Sequence, residues 1–213
     1  MSGAAADRPP VALLVVCTGN ICRSPAAELL LHRGLGNGAG IVVASAGLAA
    51  RAAEPVAAPM ARLLAARGVD PRGFVARQLH PPLLRTSGLV LTMTAAQRSA
   101  VVSRVPAAVR RTFTLREFAD LARLAGDPPE ARQPADRLTA LVTAAPRLRA
   151  LRTGTADDDI EDPYGRPADV FASVLDRIEA AVGAMLGALM PTFRSPTVSG
   201  ARTYARSGAL SGE

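Results

Sequence analysis

The feature that most constrains this chain is an apolar run, residues 11–16, which leads directly into Cys-Thr-Gly-Asn-Ile-Cys-Arg-Ser-Pro at 17–25. The run is too short to cross a membrane and is typical of a buried strand. Gly19 and Asn20 favour a tight loop after it, and Pro25 suits the start of a helix, where no N–H is needed. The sequence therefore predicts a strand, a loop and a helix in direct succession.

The loop brings together the groups that phosphoryl transfer to a thiolate requires. Backbone N–H groups over residues 18–23, together with the helix N-terminus, are able to hold an oxyanion. The same field favours a thiolate at Cys17, and the planar guanidinium of Arg23 is able to bind two phosphoryl oxygens at once. A hydroxyl at Ser24 is placed to donate to the thiolate when Cys17 is the leaving group. These residues predict an oxyanion site with a cysteine nucleophile.

The nonamer at 17–25 resembles the signature of the low-molecular-weight protein tyrosine phosphatase family, Cys-x5-Arg-Ser, throughout. Ser-Ala-Gly at 45–47 is similar to the family's second strand and turn, and Asp-Pro-Tyr-Gly at 162–165 is similar to its general-acid loop. The resemblance implies hydrolysis of protein phosphotyrosine through a phospho-cysteine, with Cys17, Arg23 and Asp162 as the catalytic residues. It implies no cofactor and no metal. The substrate-binding residues that it implies are Thr18, Gly19, Asn20, Ile21, Cys22, Ser24 and Tyr164.

Strand and helix patterns alternate along the chain, which predicts an α/β fold with helices on both faces of a parallel sheet. We expect a three-layer sandwich with a four-stranded parallel sheet and the phosphate-binding loop after the first strand. The predicted strands are 11–16, 41–45, 89–93 and 112–115. The predicted helices are 26–31 with an end at Gly34, Gly36, Gly38 and Gly40, then 59–67, 82–85, 95–103, 117–124, 135–152 and a last helix opened by Pro167.

The domain organisation follows from composition and from the length of one connection. We expect a disordered lead over 1–10, one phosphatase domain over 11–190 and a disordered tail over 191–213. The family has a much shorter connection where this chain has residues 116–158, so we predict a helical insertion there, interrupted by Pro146. Three roles remain open for it: packing beside the core, shaping the substrate mouth, or binding a partner.

Charge and cysteine content limit which partners and which compartment are expected. The formal net charge is +7 and all 25 basic residues are arginines, but they are scattered and only 3% of residues are aromatic, so nucleic-acid binding is not expected. A basic surface suits a tyrosine-phosphorylated protein. The resemblance to bacterial members of the family implies a bacterial tyrosine kinase as a partner. No apolar segment is long enough for a membrane span. The two cysteines lie in one loop and the N-terminus lacks a signal-peptide pattern, which favours a cytoplasmic location.

Other activities share this scaffold. Thioredoxin-coupled arsenate reductases need two further cysteines, so only a branch that uses a small thiol stays open. The phosphoarginine phosphatase branch has threonine in the place of Ile21. A non-catalytic phosphoprotein-binding module is disfavoured because Cys17, Arg23 and Asp162 are all present. The acids at 157–159 and 161–162 lack the spacing of a calcium loop, so no metal site is expected.

Two further points concern the loop's surroundings. Animal members of the family carry an aromatic wall after the Ser-Ala-Gly turn, whereas Leu-Ala-Ala at 48–50 follows here and resembles bacterial members. Cys22 lies five residues after Cys17, so it is either a partner for a reversible disulfide or a small buried filler. Both interpretations stay open.

Overall fold

The computed structural model describes residues 9–126, 131, 133–152 and 158–190. The predicted tail over 191–213 lies outside these residues, as does the predicted lead over 1–10 apart from residues 9 and 10. In the part of the chain that is described, no helix combines the length and the apolarity that a bilayer span requires.

The core of the fold is a four-stranded parallel sheet with the order β2-β1-β3-β4. The strands are β1 (Val11–Cys17), β2 (Ile41–Gly47), β3 (Leu89–Thr92) and β4 (Thr112–Thr114). Cys17, the last residue of β1, pairs with Gly47 at the end of β2. The predicted strands are confirmed, and their carboxyl ends meet at one edge of the sheet, where Cys17 lies.

Seven α-helices and one 3-10 helix surround the sheet in the described ranges. They are α1 (Arg23–Leu35), α2 (Ala58–Ala66), α3 (Pro81–Thr86), α4 (Ala95–Arg104), the 3-10 helix Pro106–Arg111, α5 (Leu115–Leu124), α6 (Pro134–Arg149) and α7 (Ala168–Leu189). Alternate residues of β1 face opposite layers, as a strand requires. Leu13 and Val15 pack in the core cluster that includes residues of α1, α5 and α7, whereas Leu14 and Val16 pack with residues of α3, α4 and the 3-10 helix. The predicted three layers are confirmed.

The first helix differs from its prediction at its start. It begins at Arg23, so Pro25 lies in the first turn, where its missing N–H still leaves no hydrogen bond unmade. It continues past Gly34, where the absence of a side chain allows α7 to approach closely. A Cβ atom on Gly34 would clash with Cδ1 of Leu186. The helix ends at Gly36, one of the glycines predicted to end it, which has a φ of +62°.

The region of the predicted insertion contains α5 and α6, which pack against each other. The predicted interruption at Pro146 is wrong, because α6 continues through this residue to Arg149. Leu138 and Ala145 are fully buried on the two sides of Leu141, and their packing offsets the loss of one helical hydrogen bond. The predicted helix 135–152 ends earlier than expected, and Leu151 lies beyond it and is 64% exposed.

Candidate active site

The loop between β1 and α1 directs its carbonyl groups away from its centre. Four of these carbonyls accept a hydrogen bond from the segment after β2, over distances of 2.8–3.0 Å. The acceptor and donor pairs are Cys17 with Leu48, Thr18 with Ala49, Gly19 with Arg51, and Ile21 with Ala57. In a trans peptide the N–H points opposite to the C=O, so the N–H groups of residues 18–20 and 22 face inward. The predicted ring of inward amides follows from this arrangement.

Cys17 lies at the focus of these groups. Its Sγ accepts a hydrogen bond from the backbone N–H of Asn20 at 3.2 Å and lies 3.0 Å from Oγ of Ser24. Asn20 has a φ of +56°, a left-handed conformation that asparagine tolerates better than most residues. No side chain caps the N-terminus of α1 in the described structure. Its first amides therefore remain available to an anion at the loop.

The side chain of Asn20 is fully buried and holds the loop in place. Its Nδ2 donates to Oγ of Ser24 at 2.8 Å and to Oγ of Ser45 at 2.7 Å, and its Oδ1 accepts from the N–H of Arg77 at 2.9 Å. Ser45 in turn donates to Oε2 of Glu28 at 2.5 Å. Because Ser24 already accepts from Asn20, its own hydroxyl hydrogen is available to the sulfur of Cys17.

Arg23 connects the loop with the segment that carries Asp162. Its Nη2 lies 2.5 Å from Oδ2 of Asp162, and its Nη1 donates to the carbonyl of Ile160 at 3.0 Å. Its Nε is buried and has no hydrogen-bond partner among the described residues. A buried donor without a partner is rare and is explained when a ligand supplies the acceptor. The Arg23 side chain thus retains a donor for an oxyanion.

Tyr164 and Arg51 lie together beside the loop. The guanidinium carbon of Arg51 is 5.1 Å from the centroid of the Tyr164 ring, and Nε of Arg51 donates to both carboxylate oxygens of Glu54 at 2.8–2.9 Å. The contact with Glu54, followed by Tyr164, raises the pKa of Arg51. The ring of Tyr164 is about half exposed. A cation therefore stacks on an aromatic ring at the side of the loop.

Thr18 and Cys22 are held in the loop by different means, the first by a hydrogen bond and the second by burial. Oγ1 of Thr18 accepts from Nε2 of Gln97 at 3.0 Å, and Oε1 of Gln97 accepts from the N–H of Met93 at 3.0 Å. Cys22 is buried, and this burial, with smaller contributions from Cys17 and Asp162, raises the pKa of its thiol to about 12. Both cysteines are free thiols in this structure.

All the site residues predicted from the sequence lie in this loop or at the segment around Asp162. The sequence predicted no bracing role for five residues that hold them: Glu28, Ser45, Arg51, Arg77 and Gln97. Ser45 offered a signal, since it belongs to the Ser-Ala-Gly segment at 45–47 that resembles the family. The others reach the loop through hydrogen bonds that no local pattern predicts.

A family model described as "Low molecular weight phosphotyrosine protein phosphatase" matches residues 12–133, which is more than half of the chain. The chain belongs to this family. The matched segment contains the loop at 17–25 and all four strands of the sheet. Asp162 lies beyond it, so its place beside Arg23 comes from the structure.

Individual members of the family support the same placement. A protein named "Probable low molecular weight protein-tyrosine-phosphatase EpsP" from Ralstonia nicotianae is 39% identical over 106 residues, which cover 50% of this chain and 71% of that protein. The "Protein-arginine-phosphatase" of Geobacillus stearothermophilus is 29% identical over 81% of this chain and 92% of its own length. The structure of the Erwinia amylovora tyrosine phosphatase amsI aligns with a TM-score of 0.62 and 25% identity, over 87% of this chain and 97% of that one.

Proposed function

We propose that this phosphatase removes phosphate from tyrosine residues of proteins through a phospho-cysteine at Cys17. The observation that supports this most directly is the position of the Cys17 sulfur, which accepts the inward N–H of Asn20 and lies 3.0 Å from the Ser24 hydroxyl. The unpartnered Nε of Arg23 supplies a further donor for the phosphoryl group. A thiol nucleophile, an anion cradle and a cationic clamp are thus combined in one loop.

In the first step, the Cys17 thiolate attacks phosphorus, and the bond between phosphorus and the tyrosine oxygen breaks as the S–P bond forms. The inward amides of the loop and the guanidinium of Arg23 bind the equatorial oxygens in the transition state. Asp162 gives its proton to the departing phenolate oxygen. Tyr164, with Arg51 against its ring, lies along the side of the substrate ring.

In the second step, a water molecule attacks phosphorus and the S–P bond breaks. Asp162, now a carboxylate, takes a proton from this water, and inorganic phosphate is released. The hydroxyl of Ser24 donates to the sulfur that leaves. The same carboxyl group therefore serves as the acid in the first step and as the base in the second.

Phosphoarginine is a second candidate substrate, since one relative named as a protein-arginine-phosphatase aligns over 92% of its length. The position that the sequence singled out for this choice is occupied by Ile21, which is 4% exposed and belongs to the apolar core cluster. A bulky aliphatic side chain at the loop supports an aromatic substrate. Rates on phosphotyrosine and phosphoarginine peptides, compared at equal concentration, decide between them, and arsenate with a small thiol tests the reductase alternative.

The natural substrate that we propose is a tyrosine-phosphorylated bacterial protein, with a tyrosine kinase as the enzyme that opposes this one. The reaction depends on a reduced thiol at Cys17. We therefore propose that it takes place in the cytoplasm, where thiols stay reduced.

The experiment that tests the proposed function is steady-state hydrolysis of nitrophenyl phosphate and of a phosphotyrosine peptide. We expect turnover by the wild-type protein, no turnover by Cys17→Ser, and a loss of about 100-fold or more for Arg23→Lys, because a lysine cannot bind two oxygens in one plane. Arg123→Lys is the matched control, since Arg123 forms an exposed pair with Asp120 in α5. Full turnover by Cys17→Ser would contradict the mechanism.

A further inference from the structure

The end of the insertion is tied to the segment that carries the proposed general acid. Arg152 follows α6, and its side chain is only 14% exposed. Its Nη1 donates to Oδ2 of Asp158 at 2.8 Å, and its Nη2 contacts Oδ1 of the same carboxylate, so the pair is bidentate. Nη2 also lies 2.8 Å from Oδ2 of Asp120 in α5. One guanidinium therefore joins α5, the end of the insertion and the chain leading to Asp162.

From Asp158 the chain reaches the active site in four residues, and contacts fix each step. Oδ1 of Asp159 accepts from the N–H of Ala95 at the start of α4 at 2.7 Å. Ile160 is fully buried, and its N–H donates to the carbonyl of Met93 at 2.8 Å. Its own carbonyl accepts from Arg23 at 3.0 Å. Residues 158–160 thus form one ordered segment that leads directly to Asp162.

We propose that Arg152 is a positioning residue for the general acid, and that the insertion serves this reaction by holding the segment 158–162 against the phosphate-binding loop. The proposal rests on the role of Asp162 in the proposed function. Arg152 contacts Asp120 and Asp158, and it acts on the active site through Asp158 and Ile160.

The charges explain why this residue is difficult to replace. The carboxylates of Asp120 and Asp158 both bind Arg152, and their side chains are 38% and 23% exposed. Without this guanidinium, Asp158 would lose its partner and Asp120 would keep only its exposed pair with Arg123, so two carboxylates would remain close together with reduced access to water. Their repulsion would move Asp158 away from α5, and the segment that follows it would move as well.

Arg149, the last residue of α6, provides a matched control three residues before Arg152. Its Nε donates to Oε1 of Glu117 in α5 at 2.7 Å, and its guanidinium lies 4.7 Å from the ring centroid of Phe113. It thus joins α6 to α5 as Arg152 does, with 32% exposure, but its contacts are with the core and not with the segment 158–162. Arg149→Gln should alter the packing of the insertion without altering the general acid.

The experiment compares Arg152→Gln with Arg149→Gln on two substrates. Phosphotyrosine has a poor leaving group that needs a proton, whereas nitrophenolate leaves with little assistance. We expect Arg152→Gln to lose about 10-fold in kcat on the peptide and less than about 3-fold on nitrophenyl phosphate. The loss on the peptide is smaller than the roughly 100-fold or more that general acid catalysis supplies, because Asp162 itself is still present. Arg152→Lys, which keeps the charge, should recover part of the loss. Equal losses on both substrates, or an equal effect of Arg149→Gln, would overturn the proposal.

A second measurement tests whether Arg152 holds the segment 158–162 without relying on catalytic activity. We expect amide hydrogen exchange in a peptide covering residues 158–166 to be faster in Arg152→Gln than in wild type, and unchanged in Arg149→Gln. Unchanged exchange in Arg152→Gln would overturn the proposal even if activity fell. If the wild-type protein hydrolysed neither substrate, the proposed function would fail, and the exchange rates would still decide whether Arg152 holds this segment. Asp158→Asn, which breaks the same pair from the other side, replaces Arg152→Gln if that variant does not fold.

Discussion

Arg23 and Asp162 form an ion pair across 139 residues of sequence, with 2.5 Å between Nη2 and Oδ2. The arginine is almost fully buried, whereas the aspartate side chain is about half exposed. The proposed clamp and the proposed acid therefore neutralise each other until an oxyanion competes for the guanidinium. Asp162 therefore lies directly beside the group that binds the oxyanion, which is the position that a general acid for the leaving oxygen requires.

The first prediction concerns Asp162→Asn. The amide cannot donate a proton to the phenolate, so kcat on a phosphotyrosine peptide should fall by about 100-fold or more, with a much smaller loss on nitrophenyl phosphate. Binding of inorganic phosphate should tighten, since Arg23 loses its competing carboxylate. Calorimetry with phosphate and steady-state rates on both substrates measure these effects. Equal rate losses on the two substrates would exclude Asp162 as the acid.

The second prediction concerns Gly47, where β2 passes against the loop. A Cβ atom there would lie 2.6 Å from the carbonyl oxygen of Thr18 and 2.9 Å from two atoms of Ala50. Gly47→Ala should push the loop out of place, lower the free energy of unfolding by about 1–3 kcal/mol and weaken phosphate binding. Chemical denaturation and phosphate titration measure the two effects.

Gly183→Ala is the matched control for this substitution. A Cβ atom at Gly183, within α7, meets nothing within 4 Å. Alanine favours a helix over glycine by about 0.8–1 kcal/mol, so this variant should be as stable as wild type or more stable. If Gly47→Ala were equally harmless, the close approach of β2 to the loop would not matter.

The third prediction concerns the dependence of stability on pH at Cys22. Burial raises the pKa of this thiol from 9.0 to about 12, so the folded state retains its proton where the unfolded state loses it. The resulting stability is fully present below about pH 9 and decreases as the pH rises towards 12. Unfolding of wild type and Cys22→Ala, followed from pH 7 to pH 10.5, should show a difference that shrinks above pH 9. A constant difference would contradict the prediction.

The same thiol bears on oxidation. At neutral pH the protonated Cys22 is a poor nucleophile, so we expect peroxide to oxidise Cys17 first. The reversible disulfide between Cys17 and Cys22 stays a prediction, because both are free here. Recovery of activity by dithiothreitol after peroxide treatment, compared between wild type and Cys22→Ser, distinguishes a disulfide partner from a buried filler.

The fourth prediction concerns Arg51, which stacks on Tyr164. Removing the guanidinium in Arg51→Ala should free the ring and raise KM for a phosphotyrosine peptide by about 3-fold, in line with the roughly 0.5–1 kcal/mol of an exposed cation–π contact. The kcat on nitrophenyl phosphate should change little. Arg123→Ala is the control, since it also breaks an exposed pair between residues three apart. A change in KM of the same size for both variants would mean that overall charge, and not the Tyr164 contact, is responsible.

The sequence by itself determined the part of this site that is local. Cys17, Arg23 and Ser24 lie within eight residues after a buried strand, and such a segment can close into only a few shapes. The alternation of apolar strands with helical patterns likewise determined the parallel sheet with helices on both faces, which the structure confirms.

Only the tertiary structure decided which distant groups meet the loop. Asp162 reaches Arg23 because Ile160 is buried beside Met93, and Asn20 is braced by Ser45 and the amide of Arg77. The contact between Arg152 and Asp158 is of the same kind. A residue pattern reports the periodicity of its own segment. The partner of a buried charge or hydrogen-bonding group, in contrast, depends on strand order and on how far each helix extends, and this is determined by the packing of the whole chain.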